Sequence, residues 1–335
     1  MTVYLDGEAI RALADEDVCY GAAAFALRAE AEGRTQLPPR IDVPSGHGFL
    51  RVMPAVLDDV MGLKVMTLAE GVGTRYLVLL YDVHSGELLG LLDADELTRL
   101  RTATCTAVAA QLMVTTPPTR MGVIGSGFEA EGHLLALARL WPLTSISVFS
   151  PSETRRVAFA DRMTNQLGLP VEPAATAEEA VARTEVVVLA TKSKEPVIDG
   201  SSLPRSAVVL SIGSTRPDLR ELDTATLRRS GTVVVDDAAQ VMAESGDIMA
   251  AFSEGALGEE RLVPVSRVAV DPALLQRDGD RDLLTFKSVG TALQDLALAK
   301  AVLAKAQKHP EARELGDLVT LKPFAGSAAV VGGRA

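Results

Sequence analysis

The sequence predicts an α/β protein with a doubly wound parallel sheet, on three observations. From residue 121 onward, short apolar strands alternate with stretches of helical period. A glycine-rich turn, Gly125-Ser126-Gly127, joins the first of those strands to the helix behind it. The residues ahead of that turn have another rhythm, consecutive strands with short turns, which predicts an antiparallel sheet.

Residues 6–33 read as one or two helices, because Ile10, Leu13, Val18 and Ala22 to Leu27 recur at helical spacing and Gly33 closes the run. Strands follow at "RIDV" (40–43), "FLRVMPAVL" (49–57), "GLKVMTL" (62–68) and "RYLVLLYDV" (75–83). "HSGE" (84–87) turns the chain and "LLGLLD" (88–93) returns it. A long helix runs from about Asp95 to Met113, and "TTPPTR" (115–120) breaks it. The alternating part then reads strand 121–124, helix 127–140, strand 145–149, helix 153–167, strands 186–190 and 207–212, helix 221–229 and strand 232–235. A strand near "LLTFKSVG" (283–290) leads into a helix from about Thr291 to Lys308. The tail after Pro310 is rich in Gly and Ala and is expected to be loosely ordered.

Composition narrows the function. A chain of 335 residues, 47% hydrophobic, supports a sizeable core and suggests two domains. With only 4% aromatic residues, that core must be mostly Ala, Val and Leu. A net charge of −11 without a basic cluster argues against nucleic-acid partners. Cys19 and Cys105 form no CxxC pair, and His47, His84, His133 and His309 are scattered, so no metal site is expected. A reducing, cytoplasmic setting is expected from the cysteines, and "MTVYLDGEAI" has neither the basic start nor the apolar stretch of a secretory signal. No apolar run reaches the roughly 18 residues of a membrane span.

Gly125-Ser126-Gly127-Phe128-Glu129-Ala130 reads G-x-G-x-x-A. Gly125 permits the tight turn, Gly127 lets backbone N–H groups approach a pyrophosphate, and Ala130 keeps the helix close to the sheet. With a strand before it, a helix after it and a strand again at 145, the loop predicts dinucleotide binding in a Rossmann unit. The second strand ends in "VFSPSETRR" (148–156). It lacks the acidic residue that binds a ribose 2′-hydroxyl, while Ser150 and Ser152 offer hydrogen bonds and Arg155 and Arg156 offer charge. NADPH is therefore expected over NADH. The alternative is that both arginines point to solvent.

Seven separated stretches carry a resemblance: "LPPR" (37–40), "MPA" (53–55), "GLKVMT" (62–67), "LTRLRTA" (97–103), "GVIGSGFEA" (122–130), "IGSTRPDLRELD" (212–223) and "FKSVGTALQD" (286–295). In order, they resemble the ornithine cyclodeaminase/mu-crystallin family. The resemblance implies a Rossmann sheet, residues 117–291, inserted into a discontinuous α+β substrate and dimerisation domain, residues 1–116 with 292–335 returning to it. It also implies a homodimer and a small imine or amino-acid substrate.

Arg40, Lys64 and Arg101 match the family's substrate-carboxylate contacts. The residues themselves agree. Lys64 interrupts the apolar run "VMGLKVMTL", and Arg101 has small neighbours, Thr102, Ala103, Thr104 and Ala107, that leave room for a ligand. A buried cation needs an anion, and Arg grips a carboxylate with a two-pronged fork. Against this, Arg101 could pair with Glu96 or Asp95 and Arg40 could be a surface charge; Arg51, before "MP", is a further candidate. Thr191, at the end of the strand "VVVLA", and Ser288 and Val289 in "FKSVG" fall where ligands meet open α/β sheets or where the family segment lies beside the nicotinamide. Asp295 is either a partner for a cation in the cleft or a helix surface residue.

The family pattern also breaks. The cyclodeaminase branch has Asp in G-x-D-x-P, and this chain has Thr215 in "GSTRP". The "RPDxRELD" continuation resembles the ketimine reductase-like branch. A loop glutamine is replaced by Glu129, and Cys105 reads as inert packing. The resemblance thus implies an NADPH-dependent reductase of C=N bonds adjacent to a carboxylate. Its alternatives are a cyclodeaminase of ornithine or lysine, an amino-acid dehydrogenase, and a crystallin-like binding protein without turnover.

Overall fold

The computed structural model of the chain describes residues 2–306, 312–316 and 318–319. Strand β1 (Thr2–Leu5) leads into helices α1 (Gly7–Leu13) and α2 (Glu16–Ala31), where Asp6 and Asp15 cap the first turns by accepting from Ala9 and Val18 N–H. Strands β2 (Thr35–Gln36), β3 (Ile41–Ser45), β4 (Gly48–Leu57), β5 (Val60–Ala69), β6 (Gly73–Asp82) and β7 (Leu88–Asp93) follow. The strands β3 to β7 pair antiparallel in chain order, as their short turns predict, and β7 then takes β1 as a parallel neighbour. Helix α3 (Asp95–Met113) leaves this sheet.

The second half builds β8 (Arg120–Ile124), α4 (Phe128–Ala138), β9 (Ser145–Phe149), α5 (Glu153–Leu167), β10 (Val171–Pro173), α6 (Ala177–Val181), β11 (Val186–Leu189) and β12 (Val208–Ser211). It continues with α7 (Thr224–Arg229), β13 (Ser230–Val235), α8 (Ala238–Glu244), α9 (Gly246–Ser253), β14 (Leu262–Pro264), α10 (Val265–Val270) and β15 (Leu283–Lys287). These eight strands form one parallel sheet in the order β10-β9-β8-β11-β12-β15-β13-β14. The chain is thus α/β with a doubly wound Rossmann sheet, and β15, last in sequence, occupies a central place between β12 and β13. Helix α11 (Ala292–Ala306) returns to the first sheet, and β16 (Arg313–Gly316) pairs antiparallel with β1.

Alternating residues of the central Rossmann strands feed two cores. Val123, Val188, Leu210 and Phe286 face α4, α5 and α10, while Val187, Val209 and Val235 face α6 to α9. Helix α3 serves two bodies: Leu97 belongs to the core of the first sheet, whereas Ala107, Ala110 and Met113 belong to a Rossmann core. Helix α11 lies directly on the first sheet. A Cβ at Gly90 would come 2.6 Å from Leu303, and one at Gly62 would come 3.0 Å from Leu296. Among the described residues no helix is long and apolar enough to cross a membrane.

Some expectations are corrected. The helix expected over 221–229 starts at Thr224, because Asp223 caps it and Asp247 takes the backbone N–H groups of Glu221 and Leu222. The strand expected at 232 starts at Ser230. The elements β1, β2, β10, β14, β16, α6, α8, α9 and α10 are not legible in the sequence, each spanning at most about two periods. The tail after Pro310 lies mostly outside the described residues, as do Gln307 and Lys308 at the expected end of α11.

Candidate active site

Strand order reverses between β8 and β11, so the loops after these strands open a crevice at the carboxyl end of the sheet. Gly125 sits there at φ +126°, and a Cβ on it would lie 2.5 Å from the Ala190 carbonyl oxygen. Gly127 is the opposite case: a Cβ would meet nothing within 4 Å. It N-caps α4, whose first N–H groups have no partner within the helix. Ala130 is fully buried behind them. An open glycine at a helix N-terminus beside the switch point fits the pyrophosphate of a dinucleotide.

The side chains around the loop are ordered by one another. Ser126 Oγ donates to Ser150 Oγ at 2.9 Å, and Ser152 accepts from Arg155 N–H as the cap of α5. Arg156 donates to the Ser150 carbonyl at 3.0 Å and stacks 5.5 Å from the Phe149 ring centre, while the Arg155 side chain is exposed. Phe128 is 52% exposed beside Arg99. Glu129 keeps one buried carboxylate oxygen without a hydrogen-bond partner. Among the described residues no cluster of His, Cys, Asp and Glu could hold a metal ion.

A cluster of buried cations stands across the crevice. Lys64, on β5, donates to Thr98 Oγ1 at 2.7 Å and to Asp295 Oδ1 at 3.1 Å, with the Tyr76 ring 4.9 Å away. Arg101, on α3, donates from Nε to the same Asp295 oxygen at 2.9 Å and from Nη1 to Gln294 Oε1 at 2.7 Å. Gly290, at φ +75°, makes room for that guanidinium, since a Cβ there would lie 2.6 Å from Arg101 Nη1. The other oxygen of Asp295 is buried without a partner. Of the two readings of Asp295, the geometry gives the partner of a cleft cation.

Burial lowers the Lys64 ammonium to about 8, Asp295 opposing the shift and Arg101 adding to it. Arg40 reaches from the first sheet to α8, where Nε and Nη2 pair with the Glu244 carboxylate, and Nη2 also lies 3.3 Å from the Val289 carbonyl. Arg51 forms a two-pronged pair with Asp42, its register partner on β3. Cys105 is a half-buried thiol whose pKa desolvation raises to about 12.

Two buried carboxylates that the sequence reading missed organise the loops. Asp236, at the end of β13, accepts from Ser288 Oγ and from Val289 and Gly290 N–H on one oxygen and from Gln294 Nε2 on the other. It thereby joins the 288–290 loop to Arg101 through Gln294. Glu221 accepts from Thr191 N–H and Oγ1, Ser211 Oγ and Gly213 N–H, and Lys287 bonds Ser211 and pairs with Asp247 at 3.1 Å. The Thr191 hydroxyl is thus committed to Glu221. Thr215 follows this loop, half-buried. A lysine closing the apolar strand "LLTFK" and an Asp directly after "TVVV" are the signals that could have found Lys287 and Asp236.

Solved and curated proteins resemble the whole arrangement. The structure of Thermococcus litoralis Delta(1)-pyrroline-2-carboxylate reductase with NADH and L-proline is 27% identical, covers 93% of this chain and all of its own, and superposes with a TM-score of 0.86. An archaeal alanine dehydrogenase dimer with bound NAD is 29% identical over 91% of this chain and 96% of its own, with a TM-score of 0.84. The ketimine reductase mu-crystallin of Mus musculus is 28% identical over 81% of this chain and 85% of its own. The sequence model of one family matches residues 4–309, from β1 past the end of α11, and on that match the chain belongs to the ornithine cyclodeaminase/mu-crystallin family.

Proposed function

We propose that this protein is a nicotinamide-dependent reductase of C=N bonds adjacent to a carboxylate, forming an amino acid or an N-substituted amino acid. One observation carries the reading: Lys64 and Arg101, both buried, share a single oxygen of Asp295. Asp295 is the one carboxylate the two cations bond directly, Glu129 and Asp236 acting on them only through space, and a buried charge without a bonded anion is costly. A substrate α-carboxylate supplies the missing anion, and Arg101 is the residue to grip it. Arg40 adds its Nη1 edge, the part of the fork not committed to Glu244 or Val289. Lys64, lowered to about 8, is charged at neutral pH yet gives up its proton readily, which suits protonation of the imine nitrogen. The nicotinamide, when bound, supplies hydride to the imine carbon; the chain orients the substrate and sets the field around it. The printed names of the T. litoralis and mouse relatives describe the same class of chemistry.

The same reading assigns the cofactor to Gly125 through Ala130, Ser150, Ser152, Arg155, Thr191, Ser288 and Val289. Thr191 would contribute by holding its loop through Glu221, and Ser288 and Val289 by the loop that Asp236 fixes. NADPH is preferred over NADH because no carboxylate ends β9 and Arg155 and Arg156 stand there instead; the two solved relatives hold NADH and NAD, so the preference is this chain's own. Residues 1–116 with 292–335 are the substrate and dimerisation domain, and 117–291 the cofactor domain. Ile41, Val43 and Leu50, 56%, 51% and 38% exposed on neighbouring strands, form an apolar patch suited to a second copy of the chain. The free cysteines suit a cytoplasmic setting.

A cyclodeaminase is the second reading, and Thr215 stands against it: a hydroxyl replaces the carboxylate of that branch, and without a partner it is no base near neutral pH. The test is NADPH oxidation with cyclic and linear ketimine carboxylates, with ammonia assayed in parallel. Oxidation of NADPH by a five- or six-membered cyclic imine acid, or by an imine of an α-keto acid and an amine, is expected, with little ammonia from ornithine or lysine. Efficient proline or pipecolate formation from ornithine or lysine would overturn the reading. Reversible ligand binding without NADPH oxidation across the panel would leave the crystallin-like alternative.

A further inference from the structure

The parallel sheet has a second edge, opposite the crevice, where its strands begin. There the end of α7, the 255–258 turn after α9 and the segment before β15 wall a cleft of about 350 Å³, within the range of small-ligand sites. Three guanidinium groups line it, from Arg228, Arg261 and Arg281, against one carboxylate, Glu260. Arg261 is 8% exposed, and its hydrogen bonds go only to carbonyl oxygens, those of Leu227, Arg228, Ser230 and Ala256. Its Nε has no partner at all. Carbonyl dipoles solvate a cation without neutralising it, so Arg261 keeps its charge in a place where charges are ordinarily paired.

The nearby acid is already committed. Asp282 is bonded by both prongs of Arg229 at 3.0 and 2.9 Å, and Arg205 approaches it at 3.7 Å. Among the described residues neither Arg228 nor Arg281 has a carboxylate partner, and both heads are exposed. The lining carries no aromatic ring, so it offers a nucleobase nothing to stack on. What remains is a concave surface with two exposed guanidinium forks, Arg228 and Arg281, backed by the buried charge of Arg261, suited to the tetrahedral oxygens of a doubly charged oxyanion.

We propose that this cleft binds a phosphoryl anion, either inorganic or the phosphate end of a small metabolite, at a site separate from the nicotinamide crevice. Calorimetric titration of the whole protein, saturated with NADPH to block the dinucleotide loop, tests it. Pyrophosphate and inorganic phosphate should bind saturably, and R228Q/R281Q should weaken both by about tenfold or more. These side chains are exposed and outside the crevice, so NADPH affinity and imine turnover of the double variant should match the wild type. Tighter binding of glycerol 3-phosphate than of inorganic phosphate would assign the site to a phosphorylated metabolite, and the reverse order to the free anion. The absence of saturable heat with both anions at millimolar concentration, or binding undiminished in R228Q/R281Q, would overturn the proposal.

Discussion

Lys64 holds a charge in a place that resists charge. Its burial, aided by the neighbouring Arg101 and opposed by Asp295, puts its titration near 8, where an ordinary lysine would still be fully protonated. Lys64→Met should therefore lower imine turnover by about 10²–10⁴-fold, the usual worth of a proton donor, while NADPH binding by fluorescence titration stays as it was. Turnover within a few-fold of wild type would remove Lys64 from the mechanism. The donor must be protonated, so kcat/KM for imine reduction should be level below about pH 8 and fall above it, and Lys64→Arg should lack that limb. Glu30 tests burial without catalysis. Desolvation raises its carboxyl to about 7, Ser266 opposing and Asp236 and Asp237 adding to it. A raised carboxylate favours the folded state below its unfolded pKa, and that advantage is lost as pH climbs through 7. Glu30→Gln should thus be as stable as wild type at pH 5 and more stable at pH 8.5, by roughly 1–3 kcal/mol in a urea melt. Equal midpoints at both pH values would contradict the assignment.

At the scale of elements, the proposed preference for NADPH rests on the turn into α5. Arg155→Ala with Arg156→Ala should weaken NADPH binding and spare NADH, because the 2′-phosphate distinguishes the two. NADH binding more tightly to the wild type would show that this turn was misread. The Rossmann loop could be read from the sequence because its chemistry is local: two glycines, a small residue and two flanking periods lie within one short stretch. The strands β4 to β7 and the long helix α3 were legible for a related reason, being long enough to repeat their pattern. Helices α8 and α9 were not, since seven or eight residues barely complete two turns and their caps, Asp237 and Ser245, look like loop residues. Lys64 and Arg101 stood out as cations in apolar or small-residue surroundings. Asp236, Glu221 and Asp247 did not, because an Asp or Glu near a strand end is ordinary until tertiary packing buries it.

At the scale of the whole molecule, the site draws on both sheets. Lys64 comes from the first sheet, Arg101 from the helix between the two bodies, Asp295 from the returning α11 and the 288–290 loop from the centre of the Rossmann sheet. A second chain is expected against the apolar patch of β3 and β4, so sedimentation at micromolar concentration should give a dimer, and a stable monomer would refute it. The central place of β15 has a consequence for how the protein is made. Strands β12 and β13 are synthesised well before it but do not pair with each other, so a nascent chain shorter than about 283 residues holds a gap with two unpaired strand edges. That gap closes only once residues 283–287 have left the ribosome, and the segment directly behind them carries the loop at 288–290, Gln294 and Asp295. A chain terminated before β15 is thus left both open-edged and without the loop and the acid that the candidate site draws on, a species for chaperones and proteases.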